Sequence, residues 1–403
     1  MKQKIIILGQ DYSAVFCMAN SLIDYDVYII KRVNKENLLK KAFNRLLIGK
    51  DIDKIPKSVK SIKYIYKSTT EKEIIELINQ EFQEIDAEKV IIIPTSDYME
   101  SVLENNKELL DEKFIFPKTT KNGFDIIKLM NKATQKEFAN KSGIDTITEY
   151  SISEDIETSN LPKNIEYPVF VKPKLSIKGE KSIMKKCDDE QELKNHLSFV
   201  KNKYNCPVLI EKFVKIEKEY AILGCSYEDD IIIPGIIEKI AIAKGKSNGV
   251  TLKGKTMSLE KFRDLESKIK KFIKSLEFNG LFDIELYEQD GIIYFNELNL
   301  RFGAEGYGIT GAGVNLPKLY AKKVFEGSYG IIPAIKEKVF LSDKANLDSF
   351  RNRIITWNEY KDNSKNIDFS FIKTQNKIAW LSFSRLELME KIIRFLKKSD
   401  KNE

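Results

Sequence analysis

Histidine is almost missing from this chain: His196 stands alone among 403 residues. One imidazole, placed in a polar and helical stretch, excludes His-based triads and His-rich zinc sites. His196 itself reads as a surface residue. Cysteine is also scarce. Cys17, Cys187, Cys206 and Cys225 show no metal-like pairing, which suggests buried thiols in a reducing compartment. The apolar run at residues 4–8 is too short to cross a bilayer. Residues 1–3 lead straight into it, so no signal peptide is expected and the expected location is cytoplasmic. The net charge of +7 is spread along Lys-rich stretches, with no concentrated arm. Without an Arg-rich or aromatic–basic module, nucleic-acid binding is not expected. Solubility, or attraction of anionic nucleotides, is the reading that remains. Gly9 follows the first strand without a full Gly-x-Gly-x-x-Gly signature, which argues against a dinucleotide site. No internal repeat or low-complexity segment stands out.

What is present is globular in kind, with 42% hydrophobic and 32% charged residues, enough for two or three domains. Residues 1–115 read as an N-terminal α/β domain. Strands are expected at 4–8, 27–30 and 90–93 and a helix at 14–23, an alternation that argues for a parallel sheet. The strand-end segments 9–13 and 95–97 are either ligand-facing loops or ordinary turns. In residues 116–335, Asn131 is a helix cap and Gly143 a stop. Residues 167–173 form an apolar strand ending in Lys172, followed by a polar turn at 176–179 and extended structure at 182–185. Another strand, 207–210, ends in Glu211, and antiparallel strands are expected at 219–225 and 231–237. Leu259, Phe262, Leu265, Ile269, Phe272 and Leu276 recur at helical spacing and belong in a core. Residues 336–403, with a strand at 378–382 and a helix at 385–397, read as a small closing subdomain in which Trp380 and Phe383 pack.

The most informative segment is residues 278–313. In Phe282-Asp283-Ile284-Glu285-Leu286 the acids alternate with apolar residues, as on a half-buried strand. Asp290-Gly291 favours a tight hairpin, and the return strand carries Glu297 and Asn299 on one face. Such a hairpin gathers carboxylate and amide oxygens suited to a hard divalent cation, with Arg301 beside them. The competing reading is a surface hairpin with solvated acids. The glycines that follow, at 303, 306, 308, 311 and 313, favour close approach of backbone to a ligand.

This segment resembles the ATP-grasp superfamily, in which a strand ending in a metal-binding acid precedes a strand reading Glu-x-Asn-x-Arg. The matching positions are Glu285, Glu297, Asn299 and Arg301, with Leu300 where many members have Pro. The resemblance implies an α/β, ATP-grasp fold behind an N-terminal parallel-sheet domain, with a mobile lid over about 145–212. It implies ATP as cofactor, with Mg²⁺ or alternatively Mn²⁺. Lys132 and Lys172 would meet the phosphates, and Ser176, Lys178 and Gly179 would form a loop over them. Glu211, with backbone groups of Lys212 and Val214, would form the adenine hinge. Glu219, or alternatively Glu217, would meet the ribose. Glu285, Glu297 and Asn299 would hold metal, with Asp283 behind them.

Arg301 and Lys172 would be catalytic. The segment 302–315 would face the acceptor, with Glu305, Tyr307, Thr310 and Asn315 as contacts. The implied activity is an ADP-forming carboxylate–amine ligase working through an acyl phosphate. Its partners would be a small-molecule carboxylate and an amine, amino acids or peptides, with no nucleic acid or membrane; a homodimer is allowed. An inactive nucleotide-binding scaffold is the alternative, and a biotin-dependent carboxylase a lesser one.

Overall fold

The computed structural model describes residues 3–33, 58–83, 88–150, 161–175, 183–243 and 249–375. Ser176, Lys178 and Gly179 lie outside the described residues, as do the strand expected at 378–382, the helix at 385–397, Trp380 and Phe383. Among the described residues no helix is long and apolar enough to cross a membrane.

The first sheet is all parallel, in the order Val59–Tyr66, Asp26–Val33, Lys4–Gly9, Val90–Pro94, Phe114–Ile115. Its two central strands are apolar on both faces because helices cover both sides. Asp11 caps the helix Tyr12–Ser21, its carboxylate accepting from the Ala14 amide at 2.9 Å. Segment 9–13 therefore starts an ordinary helix. The strand order reverses between Lys4–Gly9 and Val90–Pro94. At that point Gly9 lies so close to Thr95 that a side chain there would collide with its hydroxyl.

A four-stranded antiparallel sheet follows, in the order Lys185–Cys187, Val169–Pro173, Val208–Lys212, Glu149–Tyr150. The helix Glu190–Lys203 packs on it through Leu193, Leu197 and Val200. His196 falls on that same helical stripe. It is buried and donates from Nε2 to the Ile183 carbonyl at 2.7 Å, which corrects its reading as a surface residue.

Among the described residues the third sheet has ten strands. Its centre is Lys218–Tyr227 between Ile236–Ile242 and Phe278–Gln289, with Ile292–Asn299 beyond. The strand expected at 231–237 is really two. Asp230–Ile232 turns back on Lys218–Tyr227, and Ile236–Ile242 pairs with Thr251–Met257. The helices Lys132–Lys141 and Arg263–Ser275 cover one face, burying Ile269, Phe272, Ile273 and Leu276 against Phe282, Ile284 and Phe295.

The separate closing subdomain expected from residue 336 is, where described, an extension of this sheet. Lys338–Leu341 pairs antiparallel with Thr251–Met257 and parallel with Phe369–Ser370. Asp343 accepts from the amides of Ile372 (3.1 Å) and Lys373 (2.9 Å), tying the later segment to the sheet.

The glycine-rich segment is not an open loop throughout. Residues Gly306–Gly311 are helical, and three of its glycines let aromatic rings approach: Gly306 meets Phe302, Gly308 meets Phe340, and Gly311 meets Phe369. Gly311→Ala is therefore expected to lower stability by about 1–3 kcal/mol through overpacking. A urea unfolding curve unchanged from wild type would refute that packing role.

Candidate active site

The hairpin Phe278–Asn299 turns through Asp290 (φ 52°) and Gly291 (φ 76°), a two-residue turn whose positive φ values suit Asp-Gly. Its register sets Glu285 opposite Glu297 and Asp283 opposite Asn299. A bulge then intervenes, because Leu286 faces Phe295 and Asn296 is the extra residue. Strict alternation would turn Asn296 away from Glu297. The bulge instead aims both into the site, which is why sequence reasoning missed Asn296.

Each acid is met by a cation. Glu297 binds the Lys132 ammonium at 2.5 Å, and Lys132 opens the helix capped by Asn131. Glu285 meets Lys239 at 3.2 Å and the Asn296 amide at 3.4 Å. Lys239 also reaches Glu305 at 3.3 Å and is buried. Burial disfavours its charge, yet Glu285, Glu305, Asp283 and Glu219 together hold it protonated well above the ordinary lysine range. Lys239 is the main residue that sequence reasoning missed. It looks like one surface lysine among many, and only its place in the isoleucine-rich strand Ile236–Ile242 hinted otherwise.

Lys172, at the end of Val169–Pro173, donates to Glu211 at 2.8 Å and to Asn296 at 3.1 Å. Burial pulls its pKa down, and Glu211 opposes that. Glu211 is clamped on its other side by Lys136 at 2.7 Å. Burial raises the Glu211 pKa, but the two lysines outweigh it and hold the carboxyl below its ordinary range. The acid expected at an adenine hinge is thus also the group that positions Lys172. Lys212 is less apt for that hinge. Its amide already donates to the Thr148 carbonyl at 2.9 Å, and its side chain pairs with Glu166 at the surface. Val214 lies in the connection between the strands Val208–Lys212 and Lys218–Tyr227.

Glu217 and Glu219 part company. Glu217 accepts from the Asp290 amide at the hairpin turn. Glu219 faces inward, its pKa raised by burial and by Glu285 and Glu305 against the pull of Lys239. Gln135, one turn after Lys132, donates its amide to the carbonyls of Leu129 (2.8 Å) and Leu298 (2.7 Å). Its oxygen accepts from the Leu298 amide at 3.0 Å.

Arg301 donates to Asp97 at 2.5 Å and to Asn299 at 3.3 Å. Of the two strand-end segments in the first sheet, 95–97 is therefore the one that reaches the site. Asp283 Oδ1, Glu305 Oε2 and Thr310 Oγ1 are buried with no hydrogen-bond partner among the described residues. Glu305 Oε1 accepts from Thr251 at 2.5 Å. Two residues expected at the acceptor make other contacts. Tyr307 packs edge-on against Phe369 and Phe371, at 6.1 and 5.6 Å between centroids. Asn315 caps the helix Leu316–Glu326 and holds the Ser21 carbonyl.

Among the described residues no three His, Cys, Asp or Glu gather as a metal cage. The donors that fit a hard cation are two facing carboxylates, Glu285 and Glu297, with the Asn299 amide. That sparse set suits an ion whose remaining ligands are phosphate and water oxygens.

Residues 137–312 match the family model of the ATP-grasp domain. The chain carries an ATP-grasp domain. Over 158 residues it is 31% identical to the carbamoyl phosphate synthase large chain of Clostridium botulinum, covering 38% of this chain but only 14% of that one. The ATP-grasp fold extends further than this sequence match. The L-amino acid ligase of Bacillus licheniformis superposes with a TM-score of 0.56 at 16% identity, over 80% of this chain and 74% of that one. The biotin carboxylase domain of Hydrogenobacter thermophilus 2-oxoglutarate carboxylase, described with MgADP and bicarbonate, gives 0.61 at 18%, over 84% and 74%. At such identities these structures establish the ATP-grasp fold alone.

Proposed function

We propose that this chain is an ADP-forming carboxylate–amine ligase that joins two small molecules through an acyl phosphate. The observation that carries the reading is the facing pair Glu285–Glu297 flanked by Lys132, Lys172 and Arg301. Facing carboxylates with cations on each side suit transfer of a phosphoryl group, where charge must be stabilised along the reaction path. Lys132 and Lys172 would bind nucleotide phosphates, and Glu211 would orient Lys172. Glu219 is favoured over Glu217 for the ribose because it faces inward. Glu285, Glu297 and Asn299 would hold Mg²⁺, which when bound neutralises phosphate charge. Arg301, its planar fork steered by Asp97 and Asn299, would hold the acyl phosphate. Glu305 and Thr310 retain unpartnered oxygens and remain the acceptor-side candidates.

Bicarbonate as the carboxylate is a second reading, favoured by the buried cation Lys239 beside Glu305 and by the bicarbonate-bound neighbour. ADP release, followed with pooled amino acids and separately with bicarbonate, tests both. Release that needs amino acids supports the ligase. Release with bicarbonate alone favours the second reading. Nucleotide binding with no release under either condition overturns both and leaves a scaffold.

Lys172→Ala is expected to weaken ATP binding by roughly tenfold or more, since a charge-assisted hydrogen bond contributes ~1.5–3 kcal/mol. Calorimetry giving wild-type affinity would remove Lys172 from the site.

A further inference from the structure

Glu100 has no part in the scheme so far. It sits on the helix Asp97–Asn105, three residues after Asp97 and so on the same face. Asp97 on that face grips Arg301. Glu100 is 1% exposed, and neither of its carboxylate oxygens has a hydrogen-bond partner among the described residues. Glu104, one turn further, is different: it takes Lys107 at 2.6 Å and the Ile126 amide at 3.3 Å. A buried carboxyl without a donor works against folding, and Gln or Met would fill the same space. Its position suggests a compensating use. The helix begins at the carboxyl end of Val90–Pro94, where the strand order reverses, the usual place for ligands in open α/β sheets.

Among the described residues the charged groups around Glu100 are few. Asp97 and Glu104 lie on its own helix, and Arg301 approaches from the end of the hairpin. Val90–Pro94 carries no charge, and Lys128 on the neighbouring helix Ile126–Leu129 donates to the Gly123 carbonyl instead. Burial first, then Asp97, hold the Glu100 carboxyl well above its ordinary range against the pull of Arg301. In its ionised form such a carboxylate is a stronger proton acceptor than an ordinary one.

The ligase reaction needs such an acceptor, because an amine in water is mostly an ammonium ion with no lone pair to attack. The one histidine is fixed to Ile183 in another sheet, and Glu285 and Glu297 face lysines. We propose that Glu100 is the general base of the second half-reaction, taking a proton from a substrate ammonium docked beside Arg301. This rests on the ligase reading and narrows the acceptor to a protonated primary amine. One ammonium proton passes to the Glu100 carboxylate, leaving the nitrogen lone pair. That pair forms the C–N bond to the acyl carbon, and the C–O bond to phosphate breaks. Phosphate leaves with the bonding electrons and takes the second nitrogen proton.

Hydroxylamine separates this step from the one before it. It is uncharged near pH 7, traps acyl phosphates as hydroxamates and needs no base. Wild type and Glu100→Gln are compared with pooled amino acids, measuring amide by mass spectrometry and, with hydroxylamine added, hydroxamate. The variant is expected to lose about a hundredfold or more in amide formation while keeping hydroxamate formation. It should also lose the acidic limb of the wild-type pH profile for amide kcat/KM. Hydroxamate formation itself reports that the variant is folded and competent for phosphoryl transfer. If both products fall together, or neither falls, Glu100 is not the base. If wild type yields neither product, the ligase reading fails and this inference fails with it.

Discussion

Glu297→Gln is expected to leave the chain folded and to cut ADP release by several orders of magnitude, the scale on which preorganised charge acts in such sites. Glutamine keeps the shape and can still accept from Lys132, which now sits 2.5 Å from Glu297. It removes one of the two facing charges across the hairpin. In the proposed site those charges hold the metal, and an amide oxygen is a weaker ligand than a carboxylate. A thermal melt beside an Mg²⁺ titration of ADP formation is the measurement. Near-normal turnover at ordinary Mg²⁺ would remove Glu297 from the metal site and take away the main support for a ligase.

Lys239→Met should have the largest effect on stability of any single change in the site. Its ammonium is buried between Glu285 and Glu305. Removing one partner of a buried ion pair typically costs about 3–5 kcal/mol, because the remaining charge has lost its counter-ion. Urea unfolding should show that loss, and adding Glu305→Gln should recover part of it, since the two residues share one interaction. An unchanged midpoint for Lys239→Met would mean the acids are neutralised by some other means. Activity should be lost as well, because Glu285 would lose the cation it now meets at 3.2 Å.

Much of this site was legible because its chemistry is local in sequence. Glu285, Glu297, Asn299 and Arg301 lie on one hairpin, and a two-residue Asp-Gly turn fixes which residues oppose which. Lys172 could be read because a charge ending an apolar strand needs a partner, and Glu211 supplies it. The parts that escaped depend on distant segments. Lys239 gains its meaning only when Ile236–Ile242 lies beside Lys218–Tyr227, which in turn lies beside the hairpin. Asn296 is revealed by a bulge, an event that alternation cannot anticipate. The glycines were misread for a related reason: the rings of Phe340 and Phe369 that fill the space beside them come from some thirty to sixty positions later in the chain. In the first sheet, the edge strand Val59–Tyr66 buries only Ile65 and so shows no clear period.

The side chain of Gln135 has a mechanical meaning. It satisfies both the carbonyl and the amide of Leu298, one residue from the hairpin's end. One amide side chain thus does for this edge what a neighbouring strand does elsewhere along a ladder. It grows from the helix that begins with Lys132, so that helix and the acidic strand share a single frame of reference. Lys132 and Glu297 are thereby held together as one body. Whatever spacing the chemistry demands between the Lys132 ammonium and the Glu297 carboxylate is therefore built in before any substrate arrives. The third corner of that triangle, Lys172, is joined to the same frame from the other sheet, through Asn296 and through the Glu211 that Lys136 clamps.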